Sequence, residues 1–554
     1  MNQLHNKISL YSVLCILSAL AVGLTSCKDF LNTPSQSSLS AGTFYQTPSD
    51  IDRALTGVYG ALKPFSKYWF VMSEMRSDNM FQITEQKQNE YADCSQFNSS
   101  GLLNDNIVAN CWLDHYILIA AANMMLDSID NVSFSNPSIR EQYCAEARFL
   151  RALSYFDLVR FYGRVPVSLH SLSTSEAFNL GQSEDIDVYN KAIIPDLEYA
   201  VAHLAPAATD YKGVRRPERV SQTAAKALLG KVYMQMAGYP LYAETQDTAK
   251  VLLKQVLDET EGSACWVSSM DEWDRMWLHE SDNRHFLFEI QYLCANKQGN
   301  PMTPLTRSGN NQDDNYTGAN LTNGPHVYVE RDLQDHFLLS MIDDEGHLEY
   351  SDKRMYWSIN RGLVYDEETG TYTGAIEVKD GKDKNDVNNF MAKFLEHKMK
   401  RAQLGVRDID GEIINYTYWP QNFPVLRIED IALLYAECEG PTAEGYKYLN
   451  RIHTRAGLAP YSGLGADQFQ EAVRQERRYE LLGEGHRWFD QVRQNTYVED
   501  SKRKFINYRD KRDANHSNNY TIYANRVTRA SYLYPIPLSQ IQVRDGLYQQ
   551  NPGY

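Results

Sequence analysis

Apolar residues recur at helical spacing over long parts of this chain. In Gln142–Arg160, the residues Ala145, Phe149, Ala152, Phe156 and Val159 follow one another at intervals of four and three, which draws one stripe down a helix. Leu150, Leu153 and Leu158 widen the stripe, so this helix is expected to pack on two sides, and Gly163 and Pro166 mark its end. A first helix is expected from Ser49-Asp50, carrying Ile51, Ala54, Leu55, Val58 and Leu62. Asp187–Leu204 reads as another, closed by Pro206. Ser221–Ala237 follows, with Ala225, Leu228, Val232 and Met236 on one face and Gly238-Tyr239-Pro240 after it, and Ala249–Glu259 is its partner. The pattern returns late in the chain in Arg427–Glu439, Thr442–Ala456 and Ala466–Gln494.

These helices come in pairs, with Ala224, Ala225, Ala227 and Gly230 where two helices must approach closely. Such pairs bury their apolar faces only against neighbours, as tetratricopeptide hairpins do, although no strict repeat length is visible. Between the two blocks, from about Glu261 to Phe423, the pattern is lost. Trp266, Trp273, Trp277 and Trp357 sit among long polar stretches. Asn296–Gly324 holds seven Asn and four Gly and reads as loop, and Gly362–Lys384 reads as a small hairpin. Long loops in a compact domain are more often functional than idle, so the recognition surface is expected here and in Lys67–Phe97.

The amino terminus is different again. Lys7, an apolar run from Ile8 to Leu24 and small residues leading to Cys27 make a secretory signal peptide rather than a membrane span. Leu24-Thr25-Ser26-Cys27 matches a bacterial lipobox, so residues 1–26 are expected to be removed and Cys27 acylated. Each buried methylene of the acyl chains contributes about 0.8 kcal/mol, and two or three chains hold a soluble domain at a membrane. Residues 27–40 then form a tether, and 41–554 a single domain. Its helical blocks are 41–260 and 424–500, its loop-rich ligand-binding region is 261–423, and 501–554 is a carboxy-terminal segment.

Composition narrows the chemistry. The formal net charge is −16, and losing the leader with Lys7 makes it one unit more negative. That excludes nucleic-acid binding through basic patches and leaves the lipid to do the tethering. With 37 Tyr, 20 Phe and 8 Trp, the chain has the means for a packed core and for surfaces that are both apolar and hydrogen-bonding. Six cysteines remain beyond Cys15 and Cys27: Cys94, Cys111, Cys144, Cys265, Cys294 and Cys438. They are scattered, without C-x-x-C pairs, and read as buried free thiols.

Several blocks, taken in order, resemble the SusD/RagB outer-membrane lipoproteins of Bacteroidota. They are Cys27-Lys28-Asp29-Phe30-Leu31, Glu74-Met75-Arg76-Ser77-Asp78-Asn79, Glu146–Val159 and Ala224–Leu229. They continue in Glu476-Arg477-Arg478 with Glu480, Glu484-Gly485 and Arg487-Trp488-Phe489-Asp490, and end in Tyr534-Pro535-Ile536-Pro537 and Gln550–Tyr554. The resemblance implies a mostly α fold: a tetratricopeptide-like helix-pair scaffold, SusD-like, with an irregular loop-rich insert carrying a little β. It also implies a surface protein, not an enzyme, that captures a nutrient and passes it to a SusC-like TonB-dependent β-barrel transporter. The nutrient is usually an oligosaccharide; peptide or glycopeptide capture is the alternative.

A surface glycoside hydrolase would need two carboxylates flanking one bond. Glu480, Glu484 and Asp490 are candidates by type. However, Arg477 lies three residues from Glu480, and Arg487 and Arg493 lie three from Asp490, so local ion pairs are expected instead. Glu146 with Arg148 and Arg151, and Asp352 with Arg354, read the same way. Gly483-Glu484-Gly485 carries no phosphate-loop or dinucleotide context. Asp408-Ile409-Asp410-Gly411 opens like a calcium loop but lacks its closing glutamate, so neither metal nor cofactor is expected. Sugar capture needs flat aromatic faces with amides and carboxylates at their edges. The residues that offer both are Trp69, Asp78, Asn79, Trp273, Trp277, Tyr316 and Asn320, which are the candidate ligand contacts.

Overall fold

A computed structural model of the chain describes residues 44–82, 91–206, 217–278, 285–292, 299–302, 327–337, 340–342, 348–359, 364–366, 371–373, 378–379, 382–383, 391, 393–394, 421–511 and 517–554. The leader, Cys27 and its tether, Cys294, Tyr316, Asn320 and Asp408–Gly411 lie outside the described residues. Among the described residues, no helix is long and apolar enough to cross a membrane.

Helix α1 (Pro48–Gly60) starts slightly earlier than its apolar pattern suggests, because Thr47 is the cap. Its hydroxyl accepts the Asp50 N–H at 3.3 Å while the Asp50 carboxylate accepts the Thr47 N–H at 2.8 Å. A long helix α2 (Asn106–Ile129), not evident in the periodicity, precedes α3 (Pro137–Tyr162). In α3 the whole expected stripe is buried together with Leu150, Leu153 and Leu158, because α2 covers one side and α4 (Ile194–His203) the other. The helix expected over Asp187–Leu204 is present and begins slightly earlier: Asp185–Val188 runs without a break through a π-helical turn, Tyr189–Ile193, into α4.

The stack then continues through α5 (Gln222–Ala237), α6 (Gln246–Thr260), α7 (Ile428–Glu439), α8 (Ala443–Arg455) and α9 (Ala466–Glu480). Gly230 is needed where α5 meets α6, since a Cβ there would lie 2.9 Å from Leu253 Cδ2. Although more than 160 residues separate them in sequence, α6 packs directly on α7. The loop-rich insert is thus an excursion from a continuous stack of helices.

The insert is anchored at both ends by a short antiparallel pair. β2 (Phe286–Ile290) and β4 (Phe423–Arg427) run with Ile290 opposite Phe423 and Phe286 opposite Arg427, against α5. A second pair joins β1 (Met80–Gln82), after α1, to β3 (Val327–Val329) inside the insert. The hairpin expected in Gly362–Lys384 is two: Val364–Asp366 with Thr371–Thr373, and Val378–Lys379 with Lys382–Asp383.

Ala466–Gln494 is not one helix. It breaks after Glu480 and resumes as α10 (Arg487–Arg493), because Gly483 and Gly485 both sit at φ 85°, in the left-handed region. The carboxy-terminal motif is structural. Asn551 Nδ2 donates to the Tyr162 carbonyl at 2.8 Å and the Tyr534 carbonyl at 2.7 Å, sealing the end of α3. Cys94, Cys111, Cys144 and Cys265 are buried free thiols; Cys438 is half-buried, and burial pushes its thiol up to about 12.

Candidate ligand-binding site

The charged motif of α9 and α10 lies in the interior. Glu480 accepts hydrogen bonds from Arg354 at 2.9 Å, Arg427 at 2.8 Å and Arg455 at 2.6 Å, and Glu484 accepts from Arg427 and Lys393, each at 2.7 Å. Burial alone would raise the Glu480 carboxyl, but Arg455, Arg427 and Arg354 outweigh it and hold the group well below the carboxylate range. The local pairing expected from spacing holds for Asp490 with Arg493 and for Asp352 with Arg354. Elsewhere it is corrected. Arg477 reaches Asp490 and Asp430 rather than Glu480, Arg487 reaches Asp78, Arg151 reaches Asp196, and Glu146 is held by Arg219. Arg487 and Asp490 do share α10, but Asp78 takes both Nε and Nη2 of Arg487 while Arg477 and Arg493 occupy Asp490. These carboxylates are buried and engaged, and they do not form an open pair around a substrate bond.

Of the candidate ligand contacts, Tyr316 and Asn320 lie outside the described residues. The other five are buried in the protein, which corrects the expectation that they face a ligand. Trp69 Nε1 donates to Asp157 at 2.8 Å and its ring stacks on Phe423. Asp78 accepts from Arg487 Nε at 2.7 Å and Nη2 at 2.9 Å. Asn79 donates to Glu74 at 2.7 Å and accepts from Arg478 at 3.0 Å. Trp273 and Trp277 meet edge to face and roof the cationic side of the charge cluster: the Lys393 ammonium lies 4.7 Å from the Trp277 ring centre and the Arg455 guanidinium 4.8 Å from that of Trp273. Sequence spacing cannot tell a tryptophan that stacks on sugar from one that stacks on a buried arginine.

An open polar hollow of about 320 Å³ lies where the Lys67–Phe97 segment meets the start of α2. Asn104, Asn106 and Asn110 are exposed around it, and Asp93, Asp105, Lys67 and Tyr91 complete it. Asp105 caps α2 by accepting the Ile107 N–H at 2.8 Å. Asp93 is fixed by Asn98, whose Nδ2 donates at 2.7 Å, and packs so close to Gly101 that a Cβ there would lie 2.1 Å from Asp93 Oδ2. The Lys67 ammonium sits 5.3 Å from the Tyr91 ring centre. Three amides, two carboxylates and a helix amino terminus supply donors and acceptors at different heights, which suits several hydroxyls at once. Lys67, Tyr91 and Asp93 fall in the Lys67–Phe97 stretch expected to recognise ligand, and none of the lining falls in the insert. The asparagines of α2 were missed, and the signal for them is Asn104-Asp105-Asn106, cap-type residues directly before the apolar Ile107-Val108.

The fold and this site define a helical-repeat protein in which segments between the helices leave a polar hollow on the stack. A sequence model of the SusD family matches residues 285–554, and a model described as starch-binding, associating with the outer membrane, matches residues 29–234. SusD-like protein P25 of Formosa agariphila is 26% identical over 489 residues, covering 84% of this chain and 87% of that protein. A SusD homologue from Bacteroides thetaiotaomicron superposes with a TM-score of 0.74 at 23% identity, covering 93% of this chain and 98% of its own. A laminarin-binding SusD-like protein superposes with a TM-score of 0.67 at 25% identity, covering 92% and 100%. The chain belongs to the SusD/RagB family.

Proposed function

We propose that this protein is a lipid-anchored captor on the outer face of the outer membrane. It binds an oligosaccharide and delivers it to a SusC-like TonB-dependent transporter. The observation that carries the reading is the amide- and carboxylate-lined hollow at the start of α2, set on a SusD scaffold. Its groups are those that hydrogen-bond sugar hydroxyls, and a related protein is named for binding laminarin. Cys27 carries the anchor, and the buried, arginine-held state of Glu480 and Glu484 supports binding without turnover.

Calorimetry of the chain against laminarin, starch, mannan and a mixed peptide digest tests the reading. A glycan is expected to bind, with affinity reduced about tenfold by Asn104→Ala or Asn110→Ala, the loss of roughly one hydrogen bond each. Heats from the peptides alone would move the ligand class to peptides, and no heat from any of them would refute capture. Cys27→Ser is expected to shift the protein from the detergent phase to the aqueous phase on phase separation.

A further inference from the structure

A second hollow, of about 300 Å³, opens beyond the carboxy-terminal end of α3, between the π-helical turn that precedes α4 and the chain's own tail. Three polar side chains in its lining are nearly buried, Tyr189, Gln235 and Asn551; Tyr189 is 4% exposed and Gln235 is 7% exposed. Neither the Tyr189 hydroxyl nor the Gln235 amide has a hydrogen-bond partner among the described residues. The bodies of both side chains are buried while their polar ends are not sealed off by protein, so the hydroxyl and the amide open into the hollow, where water or a ligand hydroxyl can meet them. Asn551, equally buried in the same lining, is by contrast committed to the Tyr162 and Tyr534 carbonyls.

The backbone at Tyr189 is also unusual. Tyr189 begins the π-helical turn, a wide turn that occurs often at functional sites because it re-aims side chains out of helical register. The charges around the hollow balance, with Arg160 and Arg164 set against Glu184 and Asp185. Arg160 is further committed to Asp157, and Arg164 donates to Gln549 at 3.1 Å. A phosphate or carboxylate would find no net positive field here. The volume stands at the small end of ligand sites, and Leu241, Leu533 and the ring of Tyr532 give the hollow an apolar wall beside its polar one.

We propose that this hollow is a second saccharide subsite, sized for a single sugar ring, in which the Tyr189 hydroxyl and the Gln235 amide bond the ring hydroxyls. It takes its ligand class from the glycan reading above but uses none of the residues of the hollow at the start of α2. The test is saturation-transfer NMR of the full chain with glucose, galactose, mannose and xylose, alongside thermal melts.

At least one sugar is expected to bind, with affinity falling about tenfold in Tyr189→Phe and in Gln235→Leu. Because the lost groups have no protein partner, both variants should melt at or above the parent temperature, an outcome a structural role would not give. A drop of several degrees in either variant overturns the proposal, as does sugar binding that both variants leave intact. If laminarin or another polymer still binds through Asn110 while no single sugar responds to Tyr189 or Gln235, only the second subsite falls. If neither polymer nor single sugar binds, both readings fall.

Discussion

Glu480 is the position at which the charge cluster is most exposed to test. Its two carboxylate oxygens accept from three guanidinium groups, and Arg354, Arg427 and Arg455 are each almost wholly buried. Glu480→Gln keeps the volume and removes the charge. Removing one member of a buried ion pair costs about 3–5 kcal/mol, because the partners stay buried and lose their counter-ion. Here the partners keep other acids: Arg354 has Asp352 and Glu476, Arg427 has Glu484, and Arg455 has Glu429. The expected loss is therefore at the low end, about 3 kcal/mol, measured as the shift in urea unfolding followed by tryptophan fluorescence. The Glu480 pKa is depressed in the folded state, so its contribution is complete above the unfolded glutamate pKa and is lost as pH falls through and below it. The gap between parent and variant should stay constant from neutral pH to about 5 and narrow below about 4. A gap under about 0.5 kcal/mol at pH 7 would refute the claim that these pairs hold the fold, placing Glu480 among surface-like positions.

Three other expectations follow from the same geometry. Gly485→Ala forces a left-handed residue and sets its Cβ 2.4 Å from Trp69 Cβ, whereas at Gly483 the obstacle is the flexible Met391 side chain; Gly485→Ala should be the more destabilising of the two in urea, and equal or reversed costs would contradict the packing. Lys504, which donates to the Ser77 carbonyl at 2.6 Å, is pushed down to about 7 by burial. Between pH 7 and the ordinary lysine value the unfolded chain holds the extra proton, so stability rises with pH across that window; Lys504→Met should remove this part of the slope, and an unchanged pH profile would count against it. Gly230→Val should drive α5 from α6 and lower the melting temperature by several degrees, since Leu253 Cδ2 stands 2.9 Å from the new Cβ; an unchanged melt would show that the interface repacks freely.

The parts of the fold that could be read from spacing are those in which one face is apolar and the other is not. The stripe of α3 and the small residues of α5 qualify. Helix α2 escaped because it is apolar nearly all round: Ile107, Cys111, Leu118 and Met125 are buried, yet Leu113, Ile117 and Met124 are exposed, so no stripe stands out. The break in Ala466–Gln494 escaped because two glycines in a charged helical pattern read as tolerated rather than as left-handed turns. Ion pairs were legible only where both partners share one turn, as for Asp352 with Arg354. Asp78 and Arg487 are 409 residues apart, and no local period links them. The tetratricopeptide-like arrangement was legible in the helix pairs and in Ala224, Ala225, Ala227 and Gly230, and the family resemblance extended it to the whole; no repeat length showed it. The aromatic candidates failed for a different reason: Trp69, Trp273 and Trp277 have the right chemistry for sugar, and the protein uses it on Asp157, Lys393 and Arg455.

That use explains why the most recognisable motif of the chain is not where ligand is proposed to bind. The acids and arginines of Glu476–Arg493 reach segments far apart in the chain. They hold Asp78 before the hollow at α2, Arg354 and Lys393 in the insert, and Arg427 at the end of β4. Apolar contacts alone would let these segments slide over the helical stack, because the hydrophobic effect is non-directional. A buried guanidinium bonded to two carboxylates has one acceptable position, and displacing it leaves a charge without a partner. The N–H of Gly485 donates to Glu74 at 2.8 Å, and Arg478 Nε donates to Asn79 Oδ1 at 3.0 Å, so the start of β1 is pinned from the far end of the sequence. Tyr91 and Asp93, which line the hollow, follow β1 in the chain. Ala92–Ser95 packs on β1 and on Trp69–Glu74, and Gln96 Nε2 donates to the Gln82 carbonyl at 3.3 Å, so Asp93 rests on the segment that α9 and α10 pin. The motif at Glu476–Arg493 thus fixes the segment beneath Asp93, while Asn104, Asn106 and Asn110 stay exposed around the hollow.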